Sequence, residues 1–369
     1  MSRTALNDLF RDHAHESPGA FLRRIRVDHA ARLIEGGAKP TGAAAAAGFE
    51  SASAFHDRFL SSTGLTPGAY AGLAGAKSFT LRLPASYRFD EVLDFYARDP
   101  QSVSESVFSN GLRKAFLIDG EPASVEIAFE GNSAICHVDG NPCASHRAIV
   151  RMLGLAADAS AFERQFANDP LLGRLLERQT GLHIPLTPHP WEALAWAIMG
   201  QQISLKAAVA LRRELIAAFG LPHSTGLRAH PSAEVVAGLT VDTLRTLKFS
   251  RSKAEYLIAA ARAVASGELP IASLRDLSAR HAARLLSNVR GIGPWTVQYA
   301  FLRGLGFADC LPSGDAGLAQ GLGRLGGKWR RERPGEPEIR EIMARFTPWR
   351  SLATYHVWAS LKGKENDAA

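Results

Sequence analysis

The sequence predicts a mainly α protein with one small antiparallel α+β domain, and three observations lead there. Residues 1–75 are alanine-rich and carry helical spacing, broken by turn signals at Gly36-Gly37, Gly48 and the Gly64 to Pro67 stretch. Residues 78–141 change period. SFTLRLPA (78–85), KAFLIDG (114–120), ASVEIAFEG (123–131) and SAICHVDG (133–140) read as short strands joined by turns, interrupted by one amphipathic helix at 89–97. From 142 to 369 the pattern is helical again, with no convincing strand. The expected domains are therefore 1–75, 78–141 and 142–369, and 369 residues suit two or three domains.

Composition is that of a globular protein, 46% hydrophobic and 21% charged. There is no apolar run of about 18 residues, so no membrane span is expected, and the polar start MSRTALNDLF has no signal-peptide pattern. Cys136, Cys143 and Cys310 show no metal-ligand spacing, which argues against zinc, iron–sulfur clusters and a disulfide framework and fits a reducing cytoplasm. The net charge of +7 points weakly to a polyanionic partner. Its distribution adds weight: between Thr243 and Arg333 stand fifteen Lys/Arg against six Asp/Glu. Such segregation favours a nucleic-acid face over a uniformly solvated basic surface.

The strongest local signal is LLSNVRGIGPWTVQYAFLRGLG (285–306). Leu285, Leu286 and Val289 give one helix an apolar face, and Val297, Ala300 and Phe301 do the same for the next. Between them, Gly291 and Gly293 flank Ile292 and allow a sharp turn close to another surface. Pro294 suits the first turn of the second helix. Free amides at that helix start suit one DNA phosphate, bound without base readout. A plain helix–turn–helix connection is the alternative.

These residues, VRGIGPWT (289–296), resemble the helix-hairpin-helix of the DNA glycosylase superfamily. Four further segments make the chain similar to the 3-methyladenine DNA glycosylase II (AlkA-like) family: MGQQIS (199–204), LKFSRSKAEYL within 247–263, LPSGD (311–315), and PWRS (348–351) leading to His356, Val357 and Trp358. The resemblance covers about 78–362 and implies a TBP-like α+β module before a helical glycosylase domain. It implies a monofunctional enzyme of base excision repair that removes alkylated bases from duplex DNA by base flipping. It also implies that Asp315 is the catalytic carboxylate, and that Trp295, Tyr299 and Trp358 line the base pocket with Phe95 from the α+β module. Gly291, Ile292, Gly293 and Thr296 would hold DNA at the hairpin. Gln201 and Gln202 would do so at the loop that fills the gap left by the flipped base, with Gln202 as the wedge.

The residues carry part of this by themselves. Cleaving an N-glycosidic bond builds positive charge on the sugar, which a carboxylate can stabilise while activating water. On local sequence, however, Asp315 reads first as a helix N-cap ahead of Leu318, Leu322 and Leu325. Asp309, the nearest competing acid, reads as a turn residue. Ser204 reads as a simple cap. Trp295 and Tyr299 lie one helical turn apart, so both face a pocket or a core. Bifunctional members carry a hairpin lysine that attacks C1′; Trp295 stands there, so hydrolysis without strand cleavage is expected. A base alkylated on a ring nitrogen is cationic, leaves without a general acid, and suits aromatic faces. No cofactor is expected, with at most a structural monovalent cation at the hairpin. The expected state is a monomer in the bacterial cytoplasm, associated with the nucleoid.

Residues 1–75 resemble an AraC-type helix-turn-helix domain. GFESASAF (48–55) and GLTPGAY (64–70) match its second helix-turn-helix, and 21–34 its connecting helix; of the first, only the recognition helix (6–11) is recognisable. Asp8 and Asp57 occupy recognition positions where the family commonly has arginine, and the module holds eight Lys/Arg against seven Asp/Glu. A regulator of the alkylation response with weak or no glycosylase activity is the alternative function. An enzyme for oxidised or mismatched bases is a third.

Overall fold

The computed structural model describes residues 2–326 and 333–362; Lys328, Arg330 and Arg331 of the basic stretch, and residues 363–369, lie outside them. Five helices come first: α1 (Arg3–Ala14), α2 (Pro18–Glu35), α3 (Pro40–Ala46), α4 (Ala52–Thr63) and α5 (Pro67–Ala71). Ser2, Ser17, Ser51 and Thr66 cap four of them, each hydroxyl accepting from the amide three residues on. A five-stranded sheet follows, β1 (Ser78–Arg82), β2 (Glu105–Phe108), β3 (Gly111–Ile118), β4 (Glu121–Glu130) and β5 (Ser133–Asp139), antiparallel in the order β1-β5-β4-β3-β2. Between β1 and β2 runs α6 (Phe89–Tyr96). Asp119 and Gly120, at φ 51° and 85°, close the β3–β4 hairpin as a two-residue turn.

The strand β2 escaped the sequence periodicity, and Glu105 is the reason. It sits 6% exposed, opposite Lys114 in the ladder, where alternation reserves room for an apolar side chain. Lys114 lies 3.0 Å from its carboxylate and Arg212 lies 2.6 Å away. Burial pushes this carboxyl up, but the Arg212 guanidinium and the Lys114 ammonium outweigh it and hold Glu105 well below the usual range. A second surprise lies in the helical region, where Leu221–Pro222 pairs with Arg228–Ala229. Two residues a strand are too few to show a period.

The hydrophobic cores cut across the modular pattern. One fills the helical domain, from Ala159 to Ala359. The other is continuous from α2, α4 and α5 (Val27, Phe55, Phe59, Tyr70) into the sheet and α6 (Leu81, Val92, Phe116) and on to Ile149 and Met152 of the Pro142–Met152 helix. At the seam, the Arg82 amide donates to the Gly64 carbonyl at 2.8 Å, and His146 Nε2 donates to the Thr63 carbonyl at 2.8 Å. Gly64, at φ 72°, brings the chain so close that a Cβ there would meet Leu81 Cβ at 3.1 Å. Meanwhile α1 lies against the Ala279–Ser287 helix, and the His15 ring meets the Phe307 ring edge-on, 5.2 Å between centroids.

Buried neutral histidines give this fold a pH dependence. Burial holds His146 and His230 down to about 4 and His356 to about 3, against an ordinary value near 6.5. The unfolded chain therefore binds these protons first. The stabilisation is complete above pH 6.5 and is lost as pH falls through the window toward 4, on the order of 3 kcal/mol per group at the lower end. Thermal melts should show Tm falling steadily from pH 6.5 to 4; a flat profile there would contradict neutral burial.

Candidate active site and nucleic-acid interface

The hairpin joins the Ala279–Ser287 helix to the Pro294–Ala300 helix, which continues through a wider π turn at Phe301–Leu305. Gly291 adopts φ 87°, and a Cβ on it would lie 2.1 Å from the Tyr256 ring, so only glycine fits. Gly293 is exposed, with open space where a Cβ would go. No side chain caps the Pro294–Ala300 helix, leaving its first-turn amides for an anion. Ile292 is buried at 6% exposure, so its contribution here is through backbone position. Thr296 is 2% exposed and its hydroxyl accepts from Gln201 Nε2 at 3.0 Å, so its side chain braces the turn from beneath and only its main-chain amide, in the first turn of the helix, is left to meet an anion.

Gln201 links this hairpin to the loop ahead of the Leu205–Phe219 helix. Its amide donates both to Thr296 and to the Gly291 carbonyl, the latter at 2.8 Å, while Lys253 Nζ donates to the main-chain carbonyl of Gln201. Lys253 belongs to the SKAEYL segment, whose Tyr256 packs on Gly291 and whose Glu255 pairs with Arg290 at 3.2 Å. Beyond Gln201 the chain turns outward. Gln202 is exposed at φ 55°, followed by Ile203 and Leu205 at 36% and 57% exposure. Ser204 caps the next helix, accepting from Ala207 N at 3.3 Å. The result is an exposed tip with apolar shoulders, anchored through Gln201 to the hairpin turn.

Asp315 lies one layer behind. It caps the Ala316–Leu325 helix, Oδ1 accepting from Leu318 N at 2.8 Å. The same carboxylate accepts two indole N–H groups, Trp358 Nε1 on Oδ1 at 2.9 Å and Trp295 Nε1 on Oδ2 at 3.0 Å. The helix cap and the carboxylate that holds both indoles are thus one group. Tyr299 stands beside both indoles, 5.2 Å from Trp295 and 6.2 Å from Trp358 between ring centroids. Phe95 reaches the same cleft, but its ring already carries two guanidiniums, Arg98 at 4.5 Å and Arg303 at 4.6 Å. It anchors those cations where an open stacking face was expected.

The loop that carries Asp315 is pinned on both sides. Gln298 Oε1 accepts from Leu311 N at 2.8 Å, and Ser351 Oγ accepts from Cys310 N at 2.9 Å. Asp309, expected to be a turn residue, is 3% exposed and takes a bidentate pair from Arg350, Nε at 2.6 Å and an Nη at 2.7 Å. This gives PWRS a physical role: Arg350 and Ser351 hold the loop against the helix that supplies Trp358. Sequence reasoning missed Arg98, Lys253 and Arg303. Only Arg303 had a local signal, lying one helical turn after Tyr299 on the same face.

Known proteins are similar to this chain in sequence and in fold. A family model described as HhH-GPD superfamily base excision DNA repair protein matches residues 195–348, and a helix-turn-helix domain model matches 1–72. The DNA-3-methyladenine glycosylase of Bacillus subtilis (strain 168) is 35% identical over 207 residues, spanning 55% of this chain and 68% of that protein. A protein of Mycobacterium tuberculosis (strain ATCC 25618 / H37Rv), named "Probable bifunctional transcriptional activator/DNA repair enzyme AlkA", is 29% identical over 369 residues, 95% of this chain and 72% of that one. Among solved structures, a 3-methyladenine DNA-glycosylase from Archaeoglobus fulgidus shares the fold, with a TM-score of 0.68 at 23% identity, covering 76% of this chain and 97% of that chain.

Proposed function

The chain belongs to the DNA-3-methyladenine glycosylases of the helix-hairpin-helix base excision repair superfamily, and from that membership we propose that it hydrolyses the N-glycosidic bond of alkylated bases in duplex DNA without cutting the strand. The observation that carries this reading is the carboxylate of Asp315 held by two indoles beside an aromatic cleft. As the bond to the base breaks, positive charge develops on the sugar, and a fixed carboxylate beside C1′ stabilises it. Oδ1 already accepts two hydrogen bonds and Oδ2 one, so Oδ2 keeps more capacity to take a proton from the attacking water. The free amides of the hairpin bind one phosphate, and the tip at Gln202 enters the space vacated by the extruded nucleotide.

The reaction needs no cofactor, since a carboxylate and an activated leaving group suffice. Among the described residues no cluster of three or more His, Cys, Asp or Glu could hold a metal, so a monovalent cation at the hairpin would rest on backbone carbonyls. No helix among them is long and apolar enough to cross a membrane. We further propose a monomer acting in the bacterial cytoplasm on the nucleoid. The regulator reading is less well supported: α1 lies against the glycosylase helix Ala279–Ser287, and the exposed face of α4 presents Asp57.

Trp295 in place of an amine decides the chemistry of the product. Borohydride added during turnover on alkylated duplex should trap no covalent complex, and strands should break only after alkali. A trapped wild-type adduct would overturn the hydrolytic reading.

A further inference from the structure

The tip at Gln202 is held in one of two main-chain arrangements open to it. Gln201, which ends the Pro190–Gly200 helix, has φ −57° and ψ 125°, and Gln202 follows at φ 55°. Those angles approach the central pair of a type II turn, whose second residue needs a positive φ and is usually glycine or asparagine. Glutamine meets a steric cost there. Rotating the one peptide plane between Gln201 and Gln202 would give a type I turn, with negative φ at Gln202 and no such cost. Something must hold the plane. Its oxygen is the Gln201 carbonyl, and Lys253 Nζ donates to that oxygen. Lysine is an expensive choice for the position. Lys253 is 9% exposed, burial lowers its pKa, and it stands in the first turn of the Arg251–Ala265 helix, where the dipole disfavours a cation. Glu255, two residues on, pairs with Arg290 at 3.2 Å. The Gln201 side chain is fastened separately, to the Gly291 carbonyl at 2.8 Å and the Thr296 hydroxyl at 3.0 Å. The 201–202 peptide is thus the joint on which the aim of Gln202 depends.

We propose that Lys253 is a positioning residue: by holding the oxygen of the 201–202 peptide it selects the turn that aims Gln202 outward, and so promotes extrusion of the nucleotide and not the bond cleavage that follows. A charge-assisted hydrogen bond in a buried site is strong enough to offset the steric cost at Gln202. Without the ammonium the peptide relaxes toward the unstrained turn, and the tip no longer fills the space that the nucleotide leaves. Asp315 is unaffected, because its loop is pinned elsewhere, by Gln298 and Ser351. The inference rests on the glycosylase reading, with Gln202 as the residue that enters the gap.

Two duplexes separate extrusion from cleavage. Single-turnover release of 7-methylguanine is measured with the lesion paired to cytosine and with it opposite an abasic site, where extrusion costs less. In Lys253→Met, release from the paired duplex should fall about tenfold or more, and release from the unpaired one by less than about threefold. Lys253→Gln, milder to the buried site, should show the same split, and Lys253→Arg, which keeps a cationic donor, should restore most of the paired rate. Because Lys253 acts through Gln202, adding Lys253→Met to Gln202→Ala should leave the paired-to-unpaired ratio where Gln202→Ala alone puts it. Equal losses on both duplexes, which a lysine that merely caps the preceding helix would give, would overturn the proposal, and so would losses that multiply in the double variant. Wild-type protein that releases no base from either duplex would overturn the glycosylase reading, and the role of Lys253 with it.

Discussion

Single-turnover excision by the Asp315→Asn protein is expected to be slower than wild type by roughly 10²- to 10⁴-fold, with DNA affinity nearly unchanged and Tm lowered only by the one indole hydrogen bond that asparagine cannot accept. The substitution separates the two roles that share this side chain. Asparagine is as good a helix N-cap as aspartate, so the bond to Leu318 N survives. Its amide cannot present two acceptor oxygens to the indoles of Trp295 and Trp358, and it carries no charge to set against the developing oxocarbenium ion. Rates within twofold of wild type would show that the carboxylate only caps.

Removing residues 1–75 is expected to cost the protein its stability before its chemistry. The deletion uncovers Leu81, which is fully buried, and strips Phe59 and Tyr70 from a shared core. Each large apolar side chain uncovered costs about 2 kcal/mol. It also removes the Thr63 carbonyl that satisfies buried His146 and the Glu35 partner of Arg147. Tm should fall by on the order of 10 °C or more, with aggregation on expression. A truncated protein that melts like the full chain and excises at the same rate would show that the shared core is incidental.

How far the sequence could be read depended on the range of the contacts. The hairpin was legible because its parts are adjacent: two glycines, a proline and two apolar faces within 285–306. The Asp119-Gly120 turn was marked by its residue types. Asp315 was ambiguous locally for a reason the structure makes plain, since one oxygen does the capping while both hold indoles from positions 20 and 43 residues away. Glu105 concealed a strand because the cations that license its burial lie 9 and 107 residues distant. Asp309 passed for a turn residue because Arg350 is 41 residues on. What the side chains of Thr296 and Phe95 touch was not legible, because their neighbours Gln201, Arg98 and Arg303 are assembled only by folding.

The most direct measurement follows free base and strand integrity together on an alkylated duplex under single turnover. The account predicts that wild-type protein releases the modified base and leaves an intact strand that breaks only in alkali, while Asp315→Asn binds the same duplex and releases base far more slowly. Wild-type protein that binds the duplex yet releases no base from any of a panel of lesions would contradict it.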